Sequence, residues 1–199
     1  MSAGIPVFAQ QPSCFLLGED QFEGVQIYDV IQDNAMNYWI ATDNGVYKYD
    51  CYSFTRVECE GVHALSVFGF VKSNSGVIYC HNLNDEVLQI KDGVCKLFYE
   101  LKVEERSADT YLSITARNEL MVLTKTALLF NEDGLPVKCT RPHDSYYGFP
   151  FLTTGGQTIC HVADSDSLLV YENGMIRSKD FCVSILRTTR SGRQELFQV

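Results

Sequence analysis

The chain predicts an all-β fold assembled from repeated four-stranded antiparallel sheets, on three observations. Four turn signals recur at nearly constant spacing: Asp50-Cys51, Asp92-Gly93, Asp133-Gly134 and Asn173-Gly174, with second residues 42, 41 and 40 positions apart. Each follows an apolar or aromatic strand end (Tyr47-Lys48-Tyr49, Leu88-Gln89-Ile90, Leu128-Leu129-Phe130, Leu169-Val170-Tyr171) and precedes another short strand. No helical periodicity lasts two turns anywhere. A repeat of about 40 residues made of strands and hairpins is the pattern of β-propeller blades.

The first repeat is the clearest. Asp29 to Asp33 reads as the inner strand, Asn34-Ala35-Met36-Asn37 as a turn and Tyr38 to Thr42 as the second strand. Asp43-Asn44-Gly45 turns again, Val46 to Tyr49 is the third strand and Ser53 to Val57 the outer one. Short strands separated by Asn, Asp and Gly are what antiparallel hairpins need. Later repeats align on this one. Second strands fall at Val77–His81, Leu120–Thr124 and Gln157–His161, and inner strands at Gly69–Ser73, Ser113–Arg117 and Pro150–Thr154. Ser184–Thr188 opens a fifth repeat, followed by the Arg190–Arg193 turn and a strand from Glu195 to Val199. Lys102 to Thr110 reads as an interblade loop.

The expected organisation is an N-terminal segment, 1–14, followed by a partial propeller, 15–199. Its blades lie at about 27–57, 65–101, 111–139, 147–180 and an incomplete 184–199, about four and a half in all. A fifth turn is due ~15 residues past Val199, so the chain reads as a piece of a larger protein. Phe15-Leu16-Leu17 could supply a strand for ring closure; the alternative is a five-bladed closure with an incomplete last blade.

With 199 residues the chain can bury a real core. Its net charge of -9 offers no basic patch for phosphates, which argues against nucleic acid and anionic membranes as partners. No apolar run approaches 18 residues, so membrane association is expected only through segments outside this sequence. Val7-Phe8-Ala9 before Gln10-Gln11-Pro12 reads as the stub of a removed secretory signal, the alternative being a merely disordered start. Eight cysteines do not read as a disulfide framework. Cys51 and Cys59 flank an extended segment of roughly 26 Å, against a bridging limit of ~7 Å. Cys80 and Cys160 occupy equivalent strands of non-adjacent blades. Buried free thiols are expected instead, and that weakens the case for export.

The segment Val30-Ile31-Gln32-Asp33, continued by Asn37-Tyr38-Trp39-Ile40-Ala41-Thr42-Asp43-Asn44-Gly45-Val46-Tyr47-Lys48-Tyr49-Asp50, resembles the two-component regulator propeller repeat. That pattern is an inner strand ending in an acidic residue, a Gly-Asn turn, Trp-Ile-Gly-Thr, a short turn with Gly, then an apolar residue and Tyr-Asp. The strong resemblance covers about 30 residues; a weaker one, in strand and turn rhythm, runs from about 27 to 199. Met36 and Ala41 stand where the pattern has Gly. Cys51 replaces the Gly of the other three turns, where a left-handed backbone would cost it roughly 1 kcal/mol, so a different turn type is expected there. The resemblance implies the non-catalytic, periplasmic input domain of a membrane histidine kinase, hybrid kinases included. It also implies a β-sandwich, a transmembrane helix and a kinase module elsewhere in the protein.

The repeat motif is structural and hands over no ligand residues. Trp39 is expected to pack between blades, and Tyr47 and Tyr49, on one strand face, to lie in a core or blade interface. There is no Walker loop, zinc-protease helix or nucleophile elbow. Gly155-Gly156 reads as a hairpin turn and Asp164-Ser165-Asp166 as a solvated turn rather than a Ca²⁺ loop. Cys80-His81 and Cys160-His161 pair soft ligands on separated blades, too far apart to converge on a metal. His63 and His143 sit in connecting loops. No catalytic, cofactor or metal residues are expected, and the ligand site is left unassigned, at a rim or in the central funnel.

The expected function is ligand sensing that biases a receptor equilibrium. Expected partners are a small-molecule or glycan ligand, other domains of the same receptor and a second copy in a homodimer. One alternative is a protein-interaction scaffold. Another is a metal-dependent propeller lyase or hydrolase, disfavoured because the inner strands present Gln32, Lys72, Thr115, Leu152 and Leu186 rather than repeated His, Glu or Asp.

Overall fold

A computed structural model describes residues 17–130, 134, 136–139, 151–152, 157–161, 167–172, 175–180, 185–188 and 194–197. Every regular element among them is a strand. The first sheet runs β1 (Ile27–Gln32), β2 (Tyr38–Thr42), β3 (Gly45–Tyr49) and β4 (Phe54–Val57), antiparallel and in chain order. The second holds β5 (Cys59–Glu60), β6 (Val67–Lys72), β7 (Ile78–Asn82), β8 (Glu86–Lys91) and β9 (Val94–Glu100), in the order β5-β9-β8-β7-β6. The third is β10 (Tyr111–Ile114), β11 (Leu120–Leu123), β12 (Ala127–Phe130) and β13 (Pro136–Cys139). The fourth is β14 (Phe151–Leu152), β15 (Thr158–His161), β16 (Ser167–Glu172) and β17 (Met175–Asp180), and β18 (Ile185–Thr188) pairs with β19 (Gln194–Phe197). First strands lie side by side: β1 beside β6, β6 beside β10, and β10 beside β14. That arrangement is a partial β-propeller with its inner strands gathered around one axis.

Two strand expectations need correction. The third inner strand was expected over Ser113–Arg117 but ends at Ile114, because Thr115 takes the turn: its Oγ1 accepts the Glu119 N–H and its carbonyl the Asn118 N–H. Segments between blades read as loops from the sequence, yet between the first two β5 adds a fifth strand, parallel to β9, through Cys59–Cys95 and Glu60–Lys96. Leu17 of the proposed closure strand is exposed and not in a strand, and Phe15 and Leu16 lie outside the described residues.

Strand alternation supplies the core. In β11, Leu120 and Val122 pack toward the second sheet, with Val87, Leu101 and Phe130, while Met121 and Leu123 face the fourth, with Tyr171. A central strand sandwiched between blades thus buries every side chain. Trp39, Tyr79 and Met121 hold the same repeat position and contribute to the three successive interfaces. The far side of the first sheet is covered by the preceding turn. Phe22 sets its ring edge against Tyr47 and Phe54, both at 5.1 Å, and Phe54 stacks on Tyr49 at 4.3 Å. Gly18 makes room for this: a Cβ there would lie 2.9 Å from Phe22.

The first three blades lock their hairpins with side chains at a matched period. Asp33, Ser73 and Thr115 close the first turn through backbone N–H groups of Asn37, Val77 and Glu119. Thr42, Asn82 and Thr124 close the second through those of Asn44, Asn84 and Thr126. Within the first turns, Met36 (φ 67), Gly76 (φ 87) and Asn118 (φ 63) share a left-handed position.

Cys51 adopts φ 72, matching Gly93 (φ 80) and Gly134 (φ 73), so the expected change of turn type does not occur. Asp50 holds the strained turn in place, accepting the N–H groups of Tyr52 at 3.0 Å and Ser53 at 2.8 Å. Cys51→Gly and Met36→Gly should each raise stability by roughly 0.5–1 kcal/mol, the left-handed penalty less the added chain entropy of glycine. Denaturant midpoints check this; a drop at either position would mean that the side chain makes a contact outweighing its strain.

Among the described residues the cysteine expectation fails at one pair. Cys59 is disulfide-bonded to Cys95 across the β5–β9 ladder. The bond joins an interblade connection to an outer strand, adjacent only because the chain pairs in parallel there. Cys80 is a buried free thiol as expected, and Cys51 is free and exposed.

Candidate functional site

An open pocket of about 670 Å³ lies over the N-terminal ends of β1, β6 and β10. Tyr28 and Asp29 come from β1, Phe68 to Val71 from β6, His81 from β7, and Tyr111 from β10, with Ala108, Asp109 and Thr110 as the facing loop wall. The size suits a small-molecule site.

Two bulges build it. In β1, Ile27 pairs with Thr42 but Asp29 with Ala41, leaving Tyr28 as the extra residue. In β6, Phe68 pairs with His81 and Val71 with Tyr79, so Gly69 and Phe70 both oppose Cys80. Bulges twist the strand locally and re-aim side chains. Gly69 takes φ 63 at its bulge, and a Cβ there would lie 3.3 Å from His81 Nε2, so glycine alone fits without strain. The bulges are tied together by Asp29, whose Oδ2 accepts the Phe70 N–H at 2.7 Å and whose Oδ1 accepts the Val30 N–H at 2.8 Å. The result is a row of rings: Tyr28 and Phe68 with centroids 4.4 Å apart, and Phe68 and His81 at 5.8 Å.

The loop wall is organised by buried Glu105. Its Oε2 accepts the Tyr99 hydroxyl and the Lys102 N–H, both at 3.0 Å. Arg106 donates to the Leu101 carbonyl at 2.9 Å and pairs with Asp85 at 3.4 Å. Burial and the Glu105 carboxylate push the Tyr99 phenol up to about 12, which keeps it a donor.

Burial pushes His81 down from its ordinary 6.5 to about 4, only partly offset by its hydrogen bond with the Asn82 backbone, so the imidazole in the pocket is neutral at pH 7. The unfolded chain binds a proton at His81 below about pH 6.5, and the folded chain only below about pH 4. Between those values the unfolded state holds more protons, so stability falls as pH drops from 6.5 to 4. The loss approaches about 3 kcal/mol. Comparing wild type with His81→Gln at pH 7 and pH 4.5 isolates this contribution from the carboxylates. Equal pH slopes for the two proteins would remove it.

Other sequence candidates stay apart from the pocket. Cys80 is buried in the core between the first two sheets, on the opposite face to His81. His63 has a partner that the sequence did not suggest: buried Glu86 accepts its N–H and pairs with its Nδ1 at 2.6 Å, while also accepting Asn82 Nδ2. Burial works against the Glu86 charge, but the hydrogen bonds from Asn82 and His63 win and hold its carboxyl below the ordinary value. This cluster fastens the loop before β6 and gathers no further ligand. Lys72 donates to the Gln32 carbonyl at 2.7 Å, and Thr115 is consumed by its turn. Leu152 and Leu186 lie on β14 and β18. His143 and Asp164 to Asp166 lie outside the described residues, as do the side chains of Cys160 and His161. Among the described residues no three His, Cys, Asp or Glu side chains converge on a point where a metal could sit.

Of the pocket residues the sequence singles out His81 alone, as half of the Cys80-His81 pair, although Gly69 inside a strand pattern is a bulge signal.

No protein-family model and no curated protein matches the chain. Solved structures do. A catalytically inactive variant of virginiamycin B lyase from Staphylococcus aureus, with quinupristin, matches at TM-score 0.64 and 14% identity, over 88% of this chain and 70% of that one. The extracellular domain of the one-component system BT4673 from B. thetaiotaomicron matches at TM-score 0.60 and 13% identity, over 85% of this chain. That of the hybrid two-component system BT3049 from the same organism matches at 0.57 and 14%, over 78%. The chain spans about a quarter of the length of these two domains, 26% and 23%. At such identities the likeness is one of fold, and the fold is the β-propeller.

Proposed function

We propose that this chain is a non-catalytic, ligand-binding part of a β-propeller in the extracytoplasmic region of a bacterial two-component receptor. The observation that carries the reading is the aromatic pocket where β1, β6 and β10 begin side by side, shaped by paired bulges. The Cys59–Cys95 bond supports the location, since disulfides persist in oxidising compartments outside the cytoplasm. The likeness to extracellular domains of bacterial signalling systems and the first-blade repeat signature agree with it. In this account the propeller stays rigid, and the ligand biases how the receptor's remaining domains are arranged.

The likeness to virginiamycin B lyase favours a second reading, a metal-dependent lyase. One experiment separates them. The oxidised protein is screened by thermal shift against small molecules and glycans, and each hit is incubated to assay turnover with and without a chelator. Saturable stabilisation without product is the expected result. Chelator-sensitive turnover would replace the sensor reading with the enzyme one.

A further inference from the structure

We propose that the inner-strand pocket takes an organic cation: an ammonium or guanidinium group carried on a compact apolar body. This rests on the ligand-binding reading and adds the chemical class. Among the described residues the lining includes two carboxylates, Asp29 and Asp109, and no Lys or Arg. Tyr28, Phe68 and His81 form a row that lines the pocket, and aromatic rings attract a cation at short range. Asp29 takes one backbone N–H on each oxygen, and a carboxylate has further lone pairs to offer an N–H donor. The wall is therefore negative, aromatic and rich in acceptors. Phe70, Val71, Leu83 and Leu112 supply apolar surface for the ligand's body.

Charge elsewhere agrees. The chain carries -9, which attracts cations and repels anions over the approach to the site. An anionic ligand would meet two carboxylates with no lining cation among the described residues to answer them. His81 does not supply one, because its imidazole is neutral above pH 4 or so.

The test uses the full protein and three probes of similar shape: phenethylammonium, neutral 2-phenylethanol and anionic 3-phenylpropanoate. Binding is followed by NMR at the backbone amides of Gly69 and Phe70 and by calorimetry. The cation is expected to bind at least about tenfold tighter than the alcohol, a difference of ~1.4 kcal/mol. The anion is expected not to saturate. Asp109→Asn, at an exposed loop position, should weaken the cation several-fold and leave the alcohol unchanged. Phe68→Leu should weaken the cation more than the alcohol. Equal affinity for cation and alcohol, or no saturable shift with the cation up to about 10 mM on folded protein, overturns the proposal. If the alcohol or anion saturates the same amides and the cation does not, the class is wrong but the pocket's binding role stands. If no probe perturbs those amides and stabilising ligands map elsewhere, the site assignment falls as well.

Discussion

Replacing Cys59 and Cys95 together by alanine is expected to lower the unfolding free energy by about 4 kcal/mol, the chain-entropy value for a loop of this size. The two cysteines are 36 residues apart and close a loop that holds β6, β7 and β8 of the second blade. Cys59 follows the last strand of the first blade, and Cys95 sits, almost fully buried, on the outer strand of the second. The bond therefore ties two blades at their outer rim, while Trp39 and Phe70 tie them further in. Breaking it frees β5, a strand of only two residues. For a chain of this length, about 4 kcal/mol corresponds to a melting shift on the order of 10 °C. Either single substitution should cost nearly as much as the double, because the link is gone in all three. Additive losses, or a double variant within about 1 kcal/mol of wild type, would mean that the bond does not constrain the unfolded chain.

The second large effect is at Trp39. Its side chain is 1% exposed, fills the first interblade core and donates Nε1–H to Asp33 at 2.9 Å. Asp33 also accepts the N–H groups of Ala35 and Asn37 and the Asn37 amide. Burial opposes the Asp33 charge, but these hydrogen bonds prevail and hold its carboxyl below the ordinary value. The indole thus couples the core to the turn that ends β1. Trp39→Ala should cost about 3–5 kcal/mol. Trp39→Phe keeps most of the packing but removes the donor, and should cost about 1–2 kcal/mol. Urea unfolding of both variants checks the ordering. A phenylalanine variant as unstable as the alanine one would place the energy in the Asp33 hydrogen bond rather than in the core.

The blade rhythm was legible because it depends on local chemistry. Turn residues punctuate the chain, and alternation decides which neighbour a side chain faces. Tyr38–Thr42 emerges as a strand with the expected limits, and Trp39 packs between blades as its position implied. What the sequence hid is non-local. The Cys59–Cys95 bond depends on a two-residue parallel pairing that no periodicity announces. The His63–Glu86 pair joins positions 23 apart through a buried carboxylate. The pocket rings, Tyr28, Phe68 and His81, belong to three strands and meet only because two bulges shift the register. Alignment on the first repeat places Thr115 in a strand, but its hydroxyl serves the turn instead. Cys51 shows the converse: a residue ill suited to left-handed backbone is held there by its Asp50 neighbour.

The measurement closest to the central claim is a non-reducing peptide map of the protein recovered from the cell that makes it, with free thiols alkylated before lysis. An extracytoplasmic propeller predicts the peptide bearing Cys59 covalently linked to the one bearing Cys95, and Cys80 alkylated only after unfolding. Cys59 and Cys95 both alkylated as free thiols, in protein that is folded, would contradict the extracytoplasmic placement and with it the receptor reading.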